Sequence, residues 1–246
     1  MKASHKNKVN PHIFWSESKF SVKNSLKLWK LFRFLKFPIV DLRPIMRDKI
    51  LIGASELFLN YGFKSVTMDD IANNLGISKK TIYQHFDNKT KLVEATTMYL
   101  FNAISCGIDH ICALQKNPIE EIYSIKQFIM ENLKDEKSSP QYQLQKYYPK
   151  ICNTLKEKQF GVMQTCVIDN LSRGINQGLY RESIDVDFIS RIYFNIMLAI
   201  KDKDLFPSQQ FSMQMLMSNY LEYHLRGICT QKGLETLNKF ITSNQS

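Results

Sequence analysis

The sequence predicts an all-α fold: a small N-terminal helical unit followed by a larger helical body. Three observations carry that expectation. After Val93 apolar residues recur at helical spacing, and no stretch alternates as a half-buried strand would. The connections between those apolar segments are short, as packed helices require (~2–8 residues). Between Gly62 and Val93, the residues GFKSVTMDDIANNLGISKKTIYQHFDNKTKLV fit helix caps, a glycine turn and three helix starts into little more than thirty positions.

Residues 1–45 come first and form a segment of their own. They hold ten Lys/Arg against Glu17 and Asp41, and so supply +8 of the chain's net +10. The other 23 basic and 21 acidic residues nearly cancel, so any polyanion affinity beyond residue 45 must come from local placement. Within the segment, SLKLWKLFRFLKFPIV spaces Lys27, Lys30, Arg33 and Lys36 three apart. On a 3.6-residue period those charges drift around the helix, so no clean apolar face forms. The run is too charged for a signal-peptide core. It can be a basic arm along a nucleic-acid backbone, a membrane-surface or partner-binding segment, or sequence upstream of a start at Met46. The expectation is the last: a basic extension that is disordered or precedes the true start.

The first helix follows in RDKILIGASELFLNYG. Ile50, Leu51, Ala54, Leu57, Phe58 and Tyr61 fall on one stripe, and Gly62 ends it. Thr67 with Asp70 three residues on is a capping box, placing a hydroxyl and a carboxylate at the positive end of a second helix. That helix turns Ile71, Ala72 and Leu75 to one side, Ala72 being small where another helix must cross. Gly76 suits a left-handed exit, Ile77 plugs the angle between helices, and Ser78 caps the third. In KKTIYQHF, Ile82 and Phe86 face inward and turn Lys79, Lys80, Thr81, Tyr83, Gln84 and His85 outward. Those side chains suit a major groove. Asp87 or Asn88 then caps a fourth helix. Lys89 in its first turn is unfavourable beside a positive helix end, and so asks for an outside anion such as phosphate.

This stretch resembles the DNA-binding domain of TetR/AcrR-type bacterial regulators. It matches the pattern of Gly62, Thr67, Ile71, Ala72, Gly76, Ile77, Ser78, Thr81, Ile82, Tyr83, Phe86, Lys89 and Leu92 in order and spacing. The resemblance covers about residues 46–93, and beyond them rests on size and helical character. It implies phosphate contacts from Thr67, Ser78, Thr81, Tyr83 and Lys89, and base or neighbouring phosphate contacts from Lys79, Lys80, Gln84 and His85. One departure is that Met68, Asp69 and Asp70 put no basic group at the start of the second helix. The resemblance further implies a DNA-binding domain at 46–93 and an effector-binding, dimerisation domain at 94–246. In the latter the last two long helices would pair with their copies. A homodimer also follows from the short recognition helix, which reads only a few base pairs; two related by a twofold read a palindrome.

The body reads as helices to about Gln115, from Ile119 to Leu133, through an aromatic segment ending at Pro149, on to Gln177 before Gly178, at Val186–Ile200 and Gln210–Ile228, and after Gly233. Phe188, Ile189, Ile192, Tyr193, Ile196, Met197 and Ile200 form one predicted apolar face. Phe211, Met215, Leu216, Tyr220, Leu221, Leu225 and Ile228 form another.

Five cysteines, odd in number and without a C-x-x-C pair, suit a reducing cytoplasm and argue against structural zinc. Cys106 and Cys112 are candidates for a redox pair, although six residues do not return to one helical face. No cofactor is expected, and no phosphate loop, H-E-x-x-H or G-x-S-x-G suggests an enzyme. Met98, Phe101, Cys106, His110, Tyr142, Tyr147, Tyr148, Cys166 and Asn170 are candidate pocket residues for a small effector. The shortage of an evident buried charge cluster favours an apolar or amphipathic one. The alternative is a helical, dimeric ligand- or protein-binding module that does not use its helix-turn-helix on DNA.

Overall fold

The computed structural model describes residues 45–133, 140–202 and 204–243. The expectations for the N-terminal extension and for most of the DEKSSP loop lie outside the described residues. Within them are ten helices: α1 (Met46–Tyr61), α2 (Met68–Leu75), α3 (Lys79–Tyr83), α4 (Lys89–Ala113), α5 (Pro118–Leu133), α6 (Pro140–Tyr147), α7 (Pro149–Asn176), α8 (Val186–Ala199), α9 (Met213–Ile228) and α10 (Gln231–Ser243). An isolated β-bridge joins Tyr180 and Cys229. No helix among the described residues is long and apolar enough to cross a membrane.

Local chemistry sets the boundaries. The Ser212 hydroxyl accepts from the Met215 N–H at 3.2 Å, so α9 opens at Met213 rather than at Gln210. Thr230 does the same for the Gly233 N–H at 3.1 Å, which puts Gly233 inside α10 instead of before it. Pro149 opens α7, where its missing N–H costs nothing, rather than closing the aromatic segment.

α1 packs on α2 and α4, and α2 on α3. α4 then carries the chain to α5 and α7, while α5 also receives α9 and α10, and α6 and α8 lie along α7. Two apolar clusters result. The head cluster is built on Ile50, Phe58, Ile71, Ile82 and Leu92, all fully buried. Each such side chain contributes about 1.5–3 kcal/mol of transfer free energy. Tyr61, expected on this stripe, is instead exposed: α1 ends there, and Phe63 takes the inner position with its ring centroid 5.0 Å from that of Phe58. The head cluster does not stop at Val93. It continues into Leu144 in the middle of α6 and into Ile151 and Cys152 at the start of α7.

A polar joint reinforces that continuity. The Lys64 N–H donates to Gln143 Oε1 at 3.1 Å, and the Lys64 ammonium lies 4.9 Å from the Tyr147 ring centroid. Gly62 has φ +90°, and a Cβ there would meet Gln143 at 2.2 Å. Only glycine fits both the backbone and the contact.

The body cluster gathers Ile119, Leu171, Tyr180, Leu221, Leu225 and Leu237. The predicted face of α8 is divided: Met197 turns inward, while Phe188 and Ile192 are exposed. Phe194 and Ser190, outside the predicted stripe, are buried instead. On α9, Leu216, Tyr220, Leu221, Leu225 and Ile228 are buried as expected, but Met215 is exposed. Met213 and Tyr223 also face outward.

Candidate nucleic-acid interface

The interface is built on α2, α3 and the start of α4. At the head of α2, the Asp70 N–H donates to Thr67 Oγ1 at 3.1 Å. The Thr67 N–H and hydroxyl both donate to Asp70 Oδ2 at 2.8 Å. This is the capping box predicted from sequence. The Thr67 amide, and secondly its hydroxyl, hold the Asp70 carboxyl below the usual carboxylate range. The Thr67 proton is thereby committed inward, so it must swing away from Asp70 before it can reach a phosphate.

Gly76 leaves α2 at φ +63°, in the left-handed region where a side chain is strained. The chain then reverses into Ser78, whose hydroxyl accepts from the Thr81 N–H at 3.0 Å and shares a hydrogen bond with Thr81 Oγ1 at 2.8 Å. Two hydroxyls sharing one bond leave one proton free to point outward. Ile82 is fully buried and Phe86 nearly so, which anchors the unit from below.

On the outer side Thr67, Ser78, Lys79, Lys80, Tyr83, Gln84 and His85 are all exposed, Tyr83 by 45%. Thr81 and Lys89 are half-buried. The expected eight-residue helix is shorter than the sequence suggested: α3 ends at Tyr83, and Gln84 and His85 follow as a turn.

Two lysines have partners that the sequence did not announce. The Lys79 ammonium donates to Asp69 Oδ2 at 2.8 Å, and that bond raises its pKa. Asp69, notable in the sequence only for the lack of a basic group there, is thus the counter-ion of Lys79 on α3. Lys89 donates to the Lys64 carbonyl at 3.0 Å. Burial pulls its pKa below the ordinary lysine value, against the opposing Asp70 carboxylate. The turn between α1 and α2 therefore supplies a carbonyl to a lysine that seemed to demand an outside anion. An ammonium has three donors, so the carbonyl leaves others available. Asn88, rather than Asp87, caps α4 by accepting from the Lys91 N–H at 2.9 Å.

The candidate pocket residues do not converge. Tyr142 and Tyr147 are exposed on α6, and Tyr148 packs into the head cluster. Asn170 belongs to a buried polar network absent from the sequence expectation. Its Nδ2 donates to the Pro118 carbonyl at 2.9 Å and to Glu121 Oε1 at 2.8 Å, and its Oδ1 accepts from the Tyr180 hydroxyl at 3.2 Å. The Arg173 guanidinium also donates to Glu121 Oε1, and to Asp169 at 2.8 Å. So the body does hold a buried charge cluster. Glu121 lies 52 residues from Arg173, beyond the reach of any local sequence pattern. Cys106 and Cys112, whose spacing already spoke against a pair, are not partners: Cys112 Sγ faces Cys166 Sγ at 3.1 Å.

Comparison with known proteins agrees with this geometry. The family profile for bacterial regulatory proteins of the tetR family matches residues 50–96. The chain is 23% identical over 194 residues to the HTH-type transcriptional repressor KstR2 of Mycolicibacterium smegmatis, covering 76% of this chain and 92% of that one. It is 46% identical over 66 residues to the HTH-type transcriptional activator FasR of the same organism, a match spanning 27% of this chain and 30% of that protein. A transcriptional regulator from Saccharomonospora viridis, solved with choline, shares the fold at a TM-score of 0.63 and 20% identity, over 75% of this chain and 98% of the other. The helix-turn-helix geometry and the matched head thus place a tetR-type DNA-binding module at residues 50–96, within an all-α fold shared with solved regulators of that kind.

Proposed function

We propose that the chain acts as a homodimeric repressor that binds a palindromic operator and is released by a small apolar or amphipathic effector. The observation that carries this reading is the head's one-sided presentation. Lys79, Lys80, Tyr83 and Gln84 stand exposed together directly above the buried Ile82. A scaffold has no need to expose two lysines, a tyrosine and a glutamine on one short helix and the turn that follows it. Thr67, Ser78, Thr81, Tyr83 and Lys89 would hold phosphates, and Lys79, Lys80, Gln84 and His85 would meet base edges or adjacent phosphates.

The dimer reading is supported by Phe188, Ile192, Met213, Met215 and Tyr223, large apolar side chains that α8 and α9 leave exposed in a single chain. Repression is favoured because KstR2, whose match spans most of both chains, is a repressor. An amphipathic effector suits the region around Tyr193. There the Tyr220 hydroxyl and His224 Nε2 are buried without hydrogen-bond partners among the described residues, against rings 5.1 to 5.8 Å apart. Release requires the effector to bind the non-operator spacing better, by about 1–3 kcal/mol for ordinary coupling.

The test is selection of bound duplex from a random pool with the full chain. The expected product is an inverted repeat with half-sites about one helical turn apart, bound by two chains. Absence of any enriched sequence would put the non-DNA binding module in its place.

A further inference from the structure

Cys112 lies in the last turn of α4 and Cys166 in the second half of α7, 54 residues apart in sequence. Their sulfurs are 3.1 Å apart. A disulfide needs about 2.05 Å, so an approach of about 1 Å closes it. Both side chains are half-buried, within reach of a small oxidant, whereas Cys152 and Cys229 are buried. Asp109 of α4, Glu121 of α5, and Asp169 and Arg173 of α7 supply the charges around the pair.

We infer that Cys112 and Cys166 form a dithiol site for small hydroperoxides, closing to an intramolecular disulfide that clamps α4 to α7. The Cys112 thiolate attacks one peroxide oxygen, the O–O bond breaks, and hydroxide leaves to take a proton as water. Cys166 sulfur then attacks the resulting sulfenic acid. The S–O bond breaks, and the departing oxygen leaves as a second water with the Cys166 proton. Two thiols and one hydroperoxide become a disulfide and two waters (or water and an alcohol), with two electrons passing from sulfur to oxygen. The assignment of roles agrees with the local chemistry: the hydrogen bond from Cys166 holds Cys112 below the ordinary thiol range, and Cys166, as its donor, is pushed up. Thiolate character selects the attacking sulfur.

The clamp has a lever to act on. α4 begins at Lys89 in the head and reaches Cys112 roughly 35 Å further along its axis. α7 begins with Ile151 and Cys152 packed into the head cluster. Apolar packing joins the two helices at one end, and the disulfide would join them at the other, fixing the tilt of α4. This regulatory half rests on the DNA-binding reading above.

The full chain, fully reduced, is treated with hydrogen peroxide, alkylated, and measured by intact mass and peptide mapping, then reduced again with dithiothreitol. The expected result is loss of two thiols per chain, mapped to a Cys112–Cys166 cross-link and reversed by reductant. Cys112→Ser and Cys166→Ala should abolish it, and Cys106→Ser should leave it intact. Five surviving thiols, or loss mapped to other cysteines or between chains, would overturn the site. Both redox forms are then titrated against the duplex that the reduced protein enriches from a random pool. An affinity change of about five-fold or more is expected. A disulfide with unchanged affinity would refute the clamp. A disulfide in a protein that binds no duplex in either form would count against the DNA reading and leave the dithiol site standing.

Discussion

In the head, Asp69 and Lys79 pair with side chains 61% and 46% exposed, whereas in the body Glu121 and Arg173 meet at 0% and 16%. The first pair exchanges easily with water and ions, and contributes little to stability. The second is enclosed by Asn170, Tyr180 and the Pro118 carbonyl. The head thus pairs Lys79 with an exposed carboxylate that another anion can replace, while the body fixes its charges to hold α5 against α7. A charged group is available for binding in the first region and part of the framework in the second.

The sharpest way to break this contrast is to remove one partner of the body pair. Arg173→Met should cost about 3–5 kcal/mol in urea unfolding of the full chain, because Glu121 is left charged and enclosed. A loss below about 1 kcal/mol would erase the distinction between the regions. Next in size is a pH effect in the body. Burial lowers His224 from 6.5 to about 4, beside the Tyr193 and Tyr220 rings. A histidine whose folded pKa is depressed contributes stability that is complete above the unfolded value and lost as pH falls toward the folded one. Stability should therefore drop by about 3 kcal/mol between pH 6.5 and 4, and His224→Gln should flatten that slope in thermal melts across the window.

The head should respond more mildly. Thr67→Ala removes a capping-box hydroxyl and should cost about 1 kcal/mol of stability by the same unfolding measurement. The smallest effect is the most discriminating. Asp69→Asn should leave stability nearly unchanged yet strengthen duplex binding in a titration, since Lys79 no longer has to leave a carboxylate. Weaker binding from that substitution would mean that Asp69 positions Lys79 rather than restraining it.

The same contrast explains what was legible beforehand. Thr67, Gly76 and Ser78 act within three or four residues of their partners, so spacing alone reveals them, whereas spacing left the α4 cap open between Asp87 and Asn88. Helix order in the body was equally legible from periodicity, with errors of a few residues where Ser212 and Thr230 cap. Glu121 with Arg173, Cys112 with Cys166 and Lys64 with Lys89 are joined only by the way helices stack. The exposed Phe188 and Ile192 show the same limit from the other side. Periodicity finds an apolar face, but not which part of it the chain itself covers.

DNA binding is proposed for the exposed face above Ile82. It is tested most directly by the salt dependence of duplex binding for the full chain, Lys80→Ala and Tyr83→Ala, with thermal midpoints measured alongside. Weaker binding is expected in both variants at unchanged midpoints, with the salt slope shallower by about one for Lys80→Ala. Unchanged affinity in both variants, or a loss that merely follows a falling midpoint, would contradict it.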